Sequence, residues 1–305
     1  MKIMVTGGAG FIGSHIVDAY LAAGHEVTIV DNLSTGRKEN LNPAAEFIHM
    51  DIRDRAIAGV FAERRFDAVN HQAAQMDVRR SVEDPIYDAD NNVIGLLNIL
   101  QNCAHHGVKR VIFASSGGAV YGEQQSFPAD ETHKTDPCSP YGITKLTGEK
   151  YLYFFALNYG LRYVALRYAN VYGPRQNPHG EAGVVAIFCK MLLGGERPTI
   201  NGDGSQTRDF VYVGDVVRAS LLSLQLERNE NLNIGTGVET DINEIFRRLN
   251  GLCGAGAPEI HGPAKPGEQF RSVIDYRKAE RMLGWRPEID LGAGLAKTVE
   301  YFRRG

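Results

Sequence analysis

The sequence predicts an α/β protein built on a doubly wound parallel sheet. Three observations lead there. Short β-branched or apolar runs alternate with helix-periodic stretches through the first half of the chain. A glycine-rich turn joins the first run to the first helix. The runs are apolar along their length, as strands are when helices cover both faces of a parallel sheet.

In chain order, residues 2–6 form a β-branched run, 11–23 a helical pattern and 26–30 a second strand. A third strand is expected at 47–50, then a helix to Arg65, a fourth strand at 68–71 and a long helix at 85–106. Residues 110–114 read as a buried strand, a helix begins near Tyr141, and 162–166 form a sixth strand. After Asn170 the texture changes, because Pro174, Pro178, Gly180, Gly194, Gly195, Pro198, Gly202 and Gly204 break the chain into loops. The expected organisation is a nucleotide-binding domain over 1–169, with a return segment near 208–236, and a smaller substrate domain over 170–305. The second half reads as a lid carrying specificity rather than as a second complete core.

The chain has 305 residues, 43% hydrophobic and 23% charged, as in an ordinary soluble globular protein. A net charge of -3 supplies no basic field for a nucleic acid, so none is expected as partner. Cys103, Cys138, Cys189 and Cys253 are widely spaced without a CxxC pair, which suits free thiols in a reducing cytoplasm. Gly7, Gly8, Gly10 and Gly13 interrupt the apolar start, so no secretory signal is expected, and no apolar run is long enough to span a membrane. His105, His106 and His261 lack partners at ligand spacing, so no metal is expected.

The segment from Val5 to Ser14 carries Gly7, Gly10 and Gly13 between a strand and a helix. Such glycines permit a tight turn, close approach of backbone to a pyrophosphate and close helix–strand packing. The helix start adds unpaired N–H groups and the positive end of a dipole. Asp31 ends the second strand, 21 residues after Gly10. A carboxylate there accepts from both adenosine ribose hydroxyls and repels a 2′-phosphate, which favours NAD over NADP, although Arg37 and Lys38 lie close by; a capping role is the alternative. Asp51, after the third strand, either holds the adenine amino group or caps a turn. The architecture is thus expected to be of the Rossmann type.

Tyr141 and Lys145 stand four residues apart, on one face of a helix opened by Ser139-Pro140. A phenol is a poor base at neutral pH, but a neighbouring ammonium favours the phenolate. Alone, the spacing also fits a Tyr–Lys contact on a surface helix. Downstream of a dinucleotide loop it reads as a proton-transfer pair.

With these motifs placed, the chain resembles the extended short-chain dehydrogenase/reductase family, in its NAD-dependent epimerase/dehydratase group, and most of all the UDP-hexose 4-epimerases. The resemblance runs nearly end to end: TGGAGFIG at 6–13, DNLSTG at 31–36, DNNVIG at 90–95, YGITK at 141–145, LRYANVYGPRQ at 166–176 and RDFVYVGDV at 208–216. It implies an NAD site lined by Gly7, Gly10, Phe11, Ile12, Gly13, Asp31, Asn32, Ser34, Thr35, Gly36, Asp51, Ile52, Ala73, Asn92, Ser115, Tyr141, Lys145 and Tyr168. It implies Asn170 and Arg208 on the nucleotide diphosphate, Val184 against the base, Glu268 on the ribose and Arg271 as a further phosphate contact. Read without the resemblance, Arg208–Asp209 is a surface ion pair and Asn170 a turn residue. The implied reaction is C4 epimerisation of a UDP-hexose through a 4-keto intermediate. A homodimer joined through helices near 85–106 and 140–158 is implied too, although a helix buried within a monomer has the same pattern.

The match departs from the family in one loop. A Ser or Thr usually stands four residues before the tyrosine of the V-Y-G segment, and here that position is Gly117. Ser116 either takes over the hydroxyl's role or is a plain loop serine. The related 4,6-dehydratases carry Asp-Glu at the next two positions, and the decarboxylases a Glu at the second. This chain has Gly118 and Ala119, which cannot transfer a proton. Ser272 stands where glucose-restricted relatives have a bulky tyrosine, leaving room for a 2-N-acetyl group. Two other readings remain: an enzyme of the same family acting on a GDP- or CDP-linked sugar, and a non-catalytic NAD-binding sensor.

Overall fold

A computed structural model describes residues 1–178, 183–264 and 269–304. Its strands in the first half are β1 (Lys2–Thr6), β2 (Glu26–Asp31), β3 (Glu46–His49), β4 (Ala68–His71), β5 (Arg110–Ser116) and β6 (Arg162–Tyr168). Then follow β7 (Asn170–Tyr172), β8 (Thr199–Asn201), β9 (Thr207–Tyr212), β10 (Glu230–Ile234), β11 (Glu239–Asp241), β12 (Ile260–Gly262) and β13 (Arg271–Ser272). Seven strands make one parallel sheet in the order β10-β6-β5-β4-β1-β2-β3. The order reverses at β1, and the crevice beyond the carboxyl ends of β1 and β4 is where such sheets bind ligands.

Alternating residues of each strand feed opposite cores. Ile3, Val5, Val164 and Leu166 enter one apolar cluster, which also holds Trp285. Met4, Tyr163 and Ala165 enter the other, with Phe61, Leu96 and Phe155. Burial on both faces explains why these strands read as continuous apolar runs, each large side chain contributing ~2 kcal/mol.

Two features differ from the pattern read along the sequence. The helix expected over 85–106 is interrupted by a π turn at Asp90–Ile94, between helices Pro85–Ala89 and Gly95–His105. Side-chain periodicity cannot register one extra residue in a turn, and π turns often serve a functional site. The second half also exceeds a coreless lid. Tyr172, Phe188, Leu192, Ile200, Phe246, Leu249, Leu295 and Val299 form a buried apolar cluster of their own. The broken texture conceals it because its residues come from short elements far apart in sequence.

Candidate active site

The glycine turn is built by close contact. Gly7 has φ +70, and a Cβ on it would stand 2.6 Å from the Ala73 amide nitrogen. A Cβ on Gly13 would meet the Gly7 carbonyl oxygen at 2.1 Å, so any side chain there separates helix from strand. The helix Phe11–Ala22 starts at Gly10 with no side-chain cap. The first-turn amides of Phe11 and Ile12 are left for an anion.

Asp31 sits beside this turn, buried, with Oδ2 accepting from the Ala9 amide at 3.0 Å and Oδ1 from the Leu33 amide at 2.8 Å. It therefore holds the glycine loop and the loop carrying Asn32, Ser34, Thr35 and Gly36 together, and its spare lone pairs remain for hydroxyl donors. Gly36 packs on it so closely that a Cβ would stand 2.9 Å from Oδ1. Asp51 receives both Arg53, at 2.9 and 2.8 Å, and Asn32, at 2.8 Å. The Arg53 hydrogen bonds hold its carboxyl well below the usual range. Ile52 packs against Gly95. The Tyr168 hydroxyl accepts from Gln72 at 3.3 Å.

Asn92 lies within the π turn and clamps the loop after β4. Its Oδ1 accepts from the Gln75 amide at 2.8 Å, and its Nδ2 donates to the Gln75 carbonyl at 2.9 Å and to Asp88 at 3.0 Å. The π turn rotates this amide to face both backbone groups.

The helix Pro140–Tyr159 begins with Pro140 at its first position, and Ser139 Oγ accepts from the Gly142 amide at 3.1 Å. It brings Lys145 to the carboxyl end of β5, with Tyr141 beside it. Lys145 Nζ is buried, donates to the Ala114 carbonyl at 2.9 Å and stands 5.6 Å from the centre of the Tyr141 ring. Burial lowers this amine to about 8, against a raising influence from Asp88. His71 is packed on Phe113 and shares a 2.9 Å hydrogen bond with Thr6, and burial lowers it to about 3, so it is neutral.

The end of β5 separates the two serines. Ser115 Oγ donates to the buried Glu149 at 2.6 Å, on the side of the helix Pro140–Tyr159. Ser116 faces the opposite way, towards Gly118. A Cβ on Gly118 would lie 4.0 Å from Ser116 Oγ, 3.9 Å from Asn170 Oδ1 and 3.8 Å from Ser272 Oγ. Gly118 is thus the open floor of a small polar cup formed by these three residues. Gly117 has no such room, because a Cβ would stand 2.7 Å from Ile274 Cδ1.

Other expected substrate residues are more dispersed. Arg208 donates to the Thr207 carbonyl at 2.8 Å, and Val184 opens the helix Val184–Leu193. Arg271 is paired with Glu239 at 2.8 and 2.6 Å, and its guanidinium lies 3.7 Å over the Phe127 ring. Glu268 lies outside the described residues.

Two clusters escape the sequence reading. Glu149, four residues beyond Lys145, forms a buried ion pair with Arg167 at 2.6 Å, and Arg167 continues to the Tyr121 hydroxyl at 2.8 Å. Asp88 accepts from Gln75 at 2.9 Å and from Thr144 at 2.9 Å. The fourfold spacing of Tyr141, Lys145 and Glu149 signals the first cluster. Nothing in the sequence marks Asp88.

The family model for the NAD dependent epimerase/dehydratase family matches residues 3–235. A UDP-glucose 4-epimerase from Thermotoga maritima, solved with UDP-glucose, superposes with a TM-score of 0.98 at 50% identity, covering 100% of this chain and 99% of that one. A UDP-glucose 4-epimerase from Thermus thermophilus in complex with NAD gives 0.95 at 45% identity, covering 99% of each chain. A UDP-N-acetylglucosamine 4-epimerase from Methanobrevibacter ruminantium, in complex with UDP-N-acetylmuramic acid, gives 0.94 at 38% identity, covering 99% of this chain and 97% of that one.

Proposed function

The chain belongs to the NAD dependent epimerase/dehydratase family, and on that premise we propose that it inverts C4 of a UDP-linked hexose, interconverting UDP-glucose and UDP-galactose through a 4-keto sugar. The residues present fit the cofactor. The uncapped helix start at Gly10 offers amides to a pyrophosphate, and Asp31 at the end of β2 offers a carboxylate to a ribose. When bound, NAD⁺ supplies a store that accepts the C4 hydride and returns it within one turnover.

Tyr141, as phenolate, takes the proton of the 4-hydroxyl and later returns it. Lys145, held by the Ala114 carbonyl, favours that phenolate by its charge. Ser116 offers a hydroxyl to the same sugar oxygen in place of the side chain missing at Gly117. Asn170 and Arg208 anchor the diphosphate, and Arg271 joins them by leaving Glu239. Anchoring at that end lets the ketose turn over and present its other face.

The observation that carries this reading is the floor of the cup. Gly118 and Ala119 bring no second acid or base to Ser116, Asn170 and Ser272, which suits chemistry needing one proton and one hydride. The test is conversion of UDP-galactose to UDP-glucose by the purified protein without added NAD⁺. Turnover of a GDP- or CDP-linked sugar with no turnover of the UDP-sugar would overturn it. The small Ser272 side chain also supports activity on UDP-N-acetylglucosamine.

We further propose a homodimer in the cytoplasm, where the free thiols of Cys103, Cys138, Cys189 and Cys253 stay reduced. Val82, Ile86, Ile94, Ile143, Phe154 and Leu157 leave large apolar side chains exposed on the helices of 78–105 and 140–159. Such a face supports pairing with a second copy.

A further inference from the structure

Lys145 is a buried ammonium without an ion-pair partner: among the described residues no carboxylate oxygen lies within 4.0 Å of Nζ. Asp88 is equally unusual, a carboxylate with 0% exposure and no cation within that distance among the described residues. It is surrounded by donors, with Gln75 and Asn92 on Oδ1 and Thr144 on Oδ2. The Thr144 hydroxyl also lies 2.9 Å from the Tyr141 carbonyl oxygen, so one side chain touches both Asp88 and the backbone of the proton-transfer residue. Isolated buried charges of either sign are costly, whereas a pair in low dielectric offsets part of that cost at longer range than in water.

We propose that Asp88 is the counter-charge of Lys145, a positioning residue that keeps the amine an ammonium beside Tyr141. This rests on the reading of Tyr141 and Lys145 as the proton-transfer pair. The other groups around Lys145 do not supply the charge. His71 from β4 is neutral, Phe113 from β5 presents a ring, and Glu149 on the same helix is paired with Arg167 from β6. Asp90 in the π turn is paired with Arg53, and Arg79, Arg80, Glu83 and His105 on the neighbouring helices are exposed. Burial raises the Asp88 carboxyl and lowers the Lys145 amine, and each opposes the shift of the other.

Asp88→Asn removes the charge with little change in shape. Its amide oxygen keeps the bonds from Gln75 and Asn92, and its nitrogen donates to Thr144, whose proton turns to the Tyr141 carbonyl. Without the anion, Lys145 loses its proton at lower pH and Tyr141 holds its own to higher pH. The alkaline limb of kcat/KM therefore moves down by about one pH unit. The midpoint of the phenolate titration, followed by absorbance as a difference against Tyr141→Phe, moves to higher pH. KM for the UDP-sugar changes less than about twofold, since Asp88 touches no substrate. If Asp88→Asn does not fold, Asp88→Ser, with room for a water, carries the same comparison. A wild-type pH profile and phenolate titration in an active, folded variant overturn the proposal. A wild-type protein inactive on every nucleotide sugar, or an unaffected Tyr141→Phe, overturns the underlying reading instead.

Discussion

Gly118 faces Ser272 across the floor of the cup, and a methyl group on the glycine would stand 3.8 Å from the serine hydroxyl. That is ordinary contact distance, so the fold accepts alanine there, but on the proposed function the methyl takes space from the sugar. We expect Gly118→Ala to keep its melting temperature within ~2 °C and to lose at least about tenfold in kcat/KM. A spectrophotometric assay of UDP-galactose conversion beside a thermal melt checks both.

Tyr141 loses only a hydroxyl on substitution by phenylalanine, and its ring stays on the same helix. The expected loss in kcat is about 10²–10⁴-fold, the usual contribution of a positioned acid–base group. Retention of the nicotinamide cofactor, read by mass spectrometry of the native protein, should not change.

Ser272 is buried beside Gly118, and on the proposed function a larger side chain there takes space from the sugar. Ser272→Tyr should lower activity on UDP-N-acetylglucosamine by about tenfold or more relative to UDP-galactose. Competition between the two substrates in one reaction measures the ratio. An unchanged ratio would remove Ser272 from the account of specificity.

Glu149 and Arg167 have side chains 2% and 5% exposed, so neither can turn to water if the other is lost. Glu149→Gln leaves a buried guanidinium uncompensated and should cost about 3–5 kcal/mol in urea unfolding. A loss below ~1 kcal/mol would mean that the pair is hydrated in solution.

Ile86 and Leu157 are 81% and 67% exposed, on helices Pro85–Ala89 and Pro140–Tyr159, whose outer apolar side chains stay exposed among the described residues. Changing both to Asp should halve the mass measured by light scattering without unfolding the chain. An unchanged mass, monomeric or dimeric, places the interface elsewhere or removes it.

Much of this molecule was legible in its residues, and for identifiable reasons. Strands buried on both faces leave largely apolar runs, so β1, β2, β5 and β6 stand out, whereas β4 ends on the polar pair Asn70 and His71. Glycines that touch backbone, such as Gly7 and Gly13, cannot be replaced and form a readable spacing. What stayed hidden depends on contacts between distant elements. The π turn that aims Asn92 has no periodic signature. Asp88 looks like any helix carboxylate until the fold closes over it. Ser115 and Ser116 are alike in sequence, and only strand alternation sends one to Glu149 and the other towards Gly118.

The return of the chain at β10 decides how the gene can be divided. A fragment ending at Tyr168 would encode six strands and leave β6 as a bare edge, its backbone groups free to join another molecule. Recombination that exchanges both Asn170 and Ser272 between relatives while keeping the native final strand therefore needs crossovers on both sides of β10 as well as after β6, because a single crossover after β6 would give every hybrid a foreign final strand.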